Sequence, residues 1–311
     1  MEPNDRQIEI FAPFGEAFEL TKKILFQPFD LGKWFVIGFA AWLATFFSGG
    51  GFNYRSFGKG DWHWHARHQG APFSLHDTPP WVIPVVIVGI VCSVAAIALL
   101  LWLNARGRFM FTDCIVRNRG AIAEPWREYR VEANSYFIFQ LVVTLCSLVG
   151  FGVIAFLFFI AWYWVNPVMP FALMVILGVA WLVLVVLFGL ITRFMVPVMY
   201  RQRCSAVEAF RAVWSLVTAH LGVFILFALF YIVLCIAAAM IGCVAGCVTC
   251  CIAALPYIGT VILLPIVMVL FAFPLRFLRQ FGDAYDVWAV APPSDPPPPQ
   301  IPPVQDVSPP A

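Results

Sequence analysis

Charged and apolar stretches alternate along the chain and divide it into segments. Residues 34–54, 78–105, 133–192 and 212–275 contain no Asp, Glu, Lys or Arg. A helix crosses the roughly 30 Å hydrocarbon layer with about 20 residues, so the first two runs each hold one span. The two longer runs each have room for two spans and a turn. In the third run Trp162, Tyr163 and Trp164 precede Pro167 and Pro170. Aromatic rings favour the headgroup level and prolines break helices, so the turn belongs there. The last run divides near Leu255, Pro256 and Tyr257. The pattern predicts an all-α integral membrane protein with six transmembrane helices, at about 34–50, 81–104, 136–165, 171–192, 220–244 and 257–275. The uncharged stretch 245–256 either extends a helix or dips back into the bilayer. Residues 1–33 form an N-terminal segment, 34–290 the six-span domain and 291–311 a tail.

Between the spans lie segments with amphipathic helical spacing. Phe11, Phe14, Phe18 and Leu25 share a stripe, with Glu16, Glu19, Lys22 and Lys23 elsewhere. Ile122, Trp126 and Tyr129 share a face opposite Glu124, Arg127 and Glu128; Val207, Phe210, Trp214 and Val217 share one opposite Glu208 and Arg211. Such helices lie in the membrane interface, aromatic side inward and basic residues near lipid phosphates. Alternatively they pack on the bundle as caps. The first alternative assigns lipid contact to Phe14, Phe18, Trp126, Arg127, Phe210, Arg211 and Trp214.

The segments also repeat. Arg108-Phe109-Met110 recurs as Arg193-Phe194-Met195, and Glu124-Pro125-Trp126-Arg127 as Glu208-Ala209-Phe210-Arg211. Glu16-Ala17-Phe18 is a fainter copy, and Arg276-Phe277 echoes the end of each hairpin. The unit is an interfacial helix followed by a transmembrane hairpin, and three units make six spans. This pattern resembles uncharacterised bacterial multi-span membrane proteins, themselves similar to the membrane domain of some glycerophosphodiester phosphodiesterases. The resemblance covers about residues 10–285. It implies a bacterial inner-membrane protein without an assigned reaction and does not carry over the phosphodiesterase activity, which needs a separate catalytic barrel of about 250 residues.

Composition narrows the function classes. Hydrophobic residues make up 62% of the chain and charged residues 12%, about half the charged share of a soluble domain. This excludes a soluble enzyme, a nucleic-acid binder and a disordered protein. Sixteen of the 19 Lys and Arg fall on one side of the six-span arrangement, and only Arg55, Lys59 and Arg67 on the other. That bias predicts a multi-pass protein of the cytoplasmic (inner) membrane with both termini cytoplasmic. The first 33 residues are charged throughout and show no cleavable signal, so the first span is expected to direct insertion.

The candidate chemistry is sparse. His63, His65 and His68 lie in the first outer loop, and imidazoles spaced this way can take zinc or copper; the plainer reading is an exposed loop with incidental histidines. Cys243, Cys247, Cys250 and Cys251 cluster near the outer end of span five. They read first as small packing residues, on a face shared with Ala238, Gly242 and Gly246. Arg193 either snorkels to lipid phosphate or marks a polar cavity, and the matching place of Arg108 favours snorkelling. His220 is expected as a boundary residue with a hydrogen-bond partner. All 17 Asp and Glu lie outside the six spans, which weakens an ion-coupled carrier reading. No motif nominates a catalytic nucleophile and base, and none a cofactor site. The tail 291–311 is rich in proline and favours extended, disordered chain, with docking of a cytoplasmic protein partner as the functional alternative. These features together predict a non-enzymatic scaffold, assembly or regulatory protein at the inner leaflet. A transporter or lipid-handling protein is the alternative, and an intramembrane enzyme comes after it.

Overall fold

The computed structural model describes residues 9–45, 81–164, 168–249 and 256–289. Among these, every regular element is helical: α1 (Phe11–Phe26), α2 (Leu31–Thr45), α3 (Val82–Val116), α4 (Ala123–Glu128), α5 (Arg130–Trp164), α6 (Val168–Gln202), α7 (Ala206–Ala219), α8 (Leu221–Val248), α9 (Pro256–Ile262) and α10 (Leu264–Leu278). A 3-10 turn, Arg279–Phe281, closes the last helix. Five helices are long and apolar enough to cross a membrane: Ile83–Val116, Arg130–Ile160, Met174–Gln202, Leu221–Val248 and Leu264–Phe281. The sixth expected span corresponds to α2, whose 15 residues extend only about 22 Å. The rest of its expected range, 46–50, lies outside the described residues.

The helices α3, α5 and α6 have 35 residues each, so each is about 52 Å long. They exceed the hydrocarbon thickness by roughly 20 Å, and the core gathers at one end of this excess length. In α3, residues 83–95 are exposed, whereas Leu101, Ala105, Phe109, Met110 and Phe111 are buried. In α6 the core begins at Leu190 and runs to Tyr200; in α8 it takes Phe224, Phe227 and Tyr231. Apolar helices gain little by leaving lipid for one another, so the distal halves need not pack. Near the aqueous end the hydrophobic effect acts at full strength.

The central element is α10, which buries Leu264, Val267, Met268, Phe273, Leu275, Phe277 and Leu278. Helix α1 covers one side of it through Pro13, Ala17, Thr21, Ile24 and Leu25. Helix α2 packs against α3 and α9. Asn104 fixes the α2–α3 approach by donating from Nδ2 to the carbonyls of Leu43 (2.8 Å) and Ala44 (2.9 Å), which end α2. Helix α7 begins with a capping box: Ser205 accepts from the Glu208 N–H while Glu208 accepts from the Ser205 N–H, satisfying two N-terminal donors.

The buried faces overlap only in part with the stripes marked in the sequence: Leu25, Tyr129 and Val217 are common to both. In α7 the inward residues are Ala206, Ala209, Val213, Leu216 and Val217. Phe210 sits at the flank and Trp214 is half exposed. In α1 Phe11 and Phe18 are exposed, and Phe14 packs edge-on against Phe230 and Phe273. Alanine lets backbones approach closely, so the small-residue face wins the contact.

Candidate functional site

The C-terminal parts of α3, α6 and α10 carry four arginines into or against the core. Arg106 lies between two indoles, with its guanidinium carbon 4.7 Å from the Trp102 ring and 4.8 Å from the Trp126 ring. It donates to the Trp126 carbonyl and to Asn134 Oδ1, both at 3.1 Å. Arg108 donates to the Tyr136 hydroxyl at 2.7 Å, and Arg193 donates to the Tyr231 hydroxyl. Tyr231 in turn faces the Leu270 carbonyl at 3.5 Å. Pro274 has no N–H to bond that carbonyl within the helix, which leaves it available. Arg276 lies 4.1 Å over the Trp288 ring and 3.4 Å from Glu16. Tyr136, Tyr231, Trp126 and Trp288 thus hold the guanidinium groups by hydroxyl bonds and cation–π contact.

A second layer of charges closes the end of the bundle. Asp113 is completely buried. It accepts from Tyr200 Oη at 3.0 Å and pairs with Arg117 at 3.1 Å and Arg119 at 3.3 Å. Arg117 also reaches Glu128 at 2.8 Å, and Arg119 reaches Glu124 at 2.6 Å. Arg203 bridges Glu128 and Glu132 and lies 4.0 Å over the Tyr129 ring. Tyr129 stacks on Tyr200. Asn118 and Arg203 follow α3 and α6 with φ of 52° and 51°. This left-handed conformation is costly for Arg, and the bonds to Glu128 and Glu132 hold it there.

Burial alone would raise the Glu128 carboxyl, but its hydrogen bond to Arg117 and the charges of Arg117 and Arg203 outweigh that. The carboxyl is held below its ordinary value of 4.5. Burial would likewise lower Arg117, yet Glu128 and Asp113 hold it above its usual range. A carboxylate with a depressed folded value contributes stability that is full above its unfolded value. That contribution is lost as pH falls through the lowered value, so the window opens below about pH 4.5. Thermal melting of the micellar protein between about pH 6 and pH 3 is expected to fall less steeply in Glu128→Gln than in the parent. Parallel curves would remove Glu128 from the acid response.

The model of a Family of unknown function (DUF7544) matches residues 9–290. The chain belongs to that family. No curated protein and no solved structure matches it. In this DUF7544 chain the matched region contains all the arginines described above.

Of the residues marked in the sequence, Trp126 is brought onto Arg106, whereas Arg127 and Arg211 are exposed. Phe210 stacks with Phe188 and Trp214. Arg193 turns to Tyr231 and lines a pocket with Arg108. His220 ends α7, lies against the Phe281 ring and sits 3.4 Å from the Leu216 carbonyl. Ala238 and Gly242 are buried, but a Cβ at Gly246 would meet nothing within 4 Å; Cys243 is half-buried and Cys247 exposed, both as free thiols, so close packing holds for only part of that face. His63, His65, His68, Cys250, Cys251 and the tail 291–311 lie outside the described residues. The tyrosine partners Tyr136 and Tyr231 were not marked in the sequence.

Proposed function

We propose that this chain is a non-enzymatic protein of the bacterial inner membrane, with both termini cytoplasmic. In this reading its basic end is a rigid platform for assembly or regulation at the inner leaflet. One observation carries the reading: the buried core and the ion network are concentrated at the arginine-bearing end, while the distal halves of α3, α5 and α6 expose apolar side chains. Such a division gives one leaflet a fixed surface and leaves the other half of the spans to lipid. The three-unit arrangement fits the same picture. The left-handed residues Asn118 and Arg203 are 85 positions apart, as are Arg108 and Arg193.

The orientation is tested by reporter fusions. Fusions after Arg130, Arg211 and Gln280 are expected to report the cytoplasm, and fusions after Gly70 and Pro167 the exterior. A reversal at Arg130 or Gly70 would overturn the six-span arrangement. The platform reading is tested by purifying the full chain and a chain ending at residue 290 in native lipid, followed by mass spectrometry. A stoichiometric protein partner lost with the Pro-rich tail is the expected result. A tightly held small solute with no protein partner would replace this reading with transport.

A further inference from the structure

A cavity of about 230 Å³ lies where α2, α3 and α4 meet. Trp42 and Leu43 from α2, Leu100, Leu103 and Asn104 from α3 and Trp126 from α4 stand in its wall, and no charged residue among those described does. We infer that this cavity binds an uncharged single-chain lipid by its hydroxyl, which donates to Asn104 Oδ1 while the first part of the chain lies against the leucines and indoles. This goes beyond the platform reading and does not depend on it.

One polar atom decides the class of ligand. Asn104 is completely buried. Its Nδ2 is engaged by the Leu43 and Ala44 carbonyls, and among the described residues its Oδ1 has no hydrogen-bond partner. A buried acceptor left unpaired is costly, and a donor entering the cavity relieves that cost. Water suits the place poorly, because it needs two to four polar partners and the other side chains of the wall are leucines and aromatic rings. An anionic head would meet an acceptor instead of a donor, and a cationic head would lose its hydration without gaining a counter-charge. A neutral hydroxyl supplies the one donor and brings the apolar body that the rest of the wall selects. Size agrees with this. An apolar cavity of roughly 150 Å³ takes up benzene, whereas pockets that enclose a whole drug-sized ligand hold about 300–1,000 Å³. The cavity therefore takes the head and several methylenes, and the remaining chain runs out of it. The exit is on α3: Ile97 shares a face with Leu100, three residues on, and is about half exposed, and the apolar residues before it are exposed to the helix start. The walls are fixed as well. The Asn104 bonds tie α3 to α2, and Trp126 is held by the Arg106 guanidinium at 4.8 Å and by the edge of Trp102 at 5.6 Å.

The test uses the full chain in phosphatidylcholine nanodiscs, whose lipids carry no hydroxyl. It is photolabelled with a long-chain primary alcohol bearing a diazirine close to the hydroxyl, and the adducts are mapped by mass spectrometry. They are expected to concentrate on the peptides holding Trp42, Leu43 and Leu100 to Asn104. Unlabelled 1-decanol is expected to compete about fivefold better than 1-methoxydecane, which has the same chain and no donor. Leu103→Phe fills the cavity and leaves the Asn104 side chain in place; it is expected to lower labelling there on the order of tenfold. Leu100→Phe serves if that variant does not fold, and the competition in the parent decides if neither folds. Leu229→Phe, on the exposed face of α8, is expected to label like the parent. The proposal is overturned if adducts are no denser at the cavity than on the exposed face of α8, if 1-methoxydecane competes as well as 1-decanol, or if a folded filling variant labels like the parent. The first of these results would leave the cavity to the connection between α2 and α3, residues 46–80.

Discussion

Replacing Asp113 with Ala is expected to cost about 3 kcal/mol of stability, the low end of the range for breaking a buried ion pair. The carboxylate is inaccessible and serves three donors: Tyr200, Arg117 and Arg119. Removing it leaves a buried hydroxyl without its acceptor and takes a negative charge from between two guanidiniums. The loss stays at the low end because Arg117 and Arg119 are each about one-third exposed and keep Glu128 and Glu124 as partners. Asp113→Asn retains an acceptor oxygen for Tyr200 and much of the side-chain shape. It is expected to lose less than Ala, with the difference reporting the hydrogen bond and the remainder reporting the charge. Equilibrium unfolding in mixed micelles would measure both. A loss below about 1 kcal/mol for Ala would mean that Arg117 and Arg119 are held by the surface carboxylates alone, as weak exposed pairs are.

That charge hub shows how far the sequence could be read. The uncharged runs located the helices because lipid tolerates no other backbone arrangement than one with satisfied hydrogen bonds. That reading ends the spans at 104 and 192, because a count based on hydrocarbon thickness stops where charge begins. Helices α3 and α6 instead continue to Val116 and Gln202, since Arg106, Arg108 and Arg193 find partners inside the protein. The repeated Arg-Phe-Met triplets marked two of those arginines, but Tyr136 and Tyr231 stand on other helices, 28 and 38 residues away. No local spacing rule connects them. The amphipathic stripes say little about which face packs within the protein, for a related reason. Phenylalanine and tryptophan dominate a hydrophobic pattern, while the face that packs is chosen by how closely two backbones must approach, a property of the pair. Ala17 and Ala209, both fully buried, became recognisable as contact residues only once α1 and α7 had been seen against their neighbours.

Close approach also makes Gly107 a position where the usual ranking of residues is expected to reverse. In an exposed helix Ala is favoured over Gly by roughly 1 kcal/mol. A Cβ at residue 107 would stand 2.5 Å from Leu43 Cβ, 2.6 Å from the Leu43 carbonyl carbon and 2.7 Å from the Ala44 nitrogen. Two of these are backbone atoms, so no rotamer change relieves the contact and α2 itself must move. Moving it strains the Asn104 bonds to the Leu43 and Ala44 carbonyls. Overpacking typically costs 1–3 kcal/mol, sometimes more, and the strained Asn104 bonds add to it. Gly107→Ala is therefore expected to lose about 2 kcal/mol or more despite its better helix propensity. Gly89→Ala, in the same helix, meets nothing within 4 Å and is expected to be neutral or to gain up to about 1 kcal/mol. The opposite signs of the two variants, measured by unfolding in the same micelles, separate packing from propensity. Equal effects at the two positions would show that α2 and α3 do not meet at Gly107, and the placement of Arg106 and Arg108 on either side of it would fall with that contact.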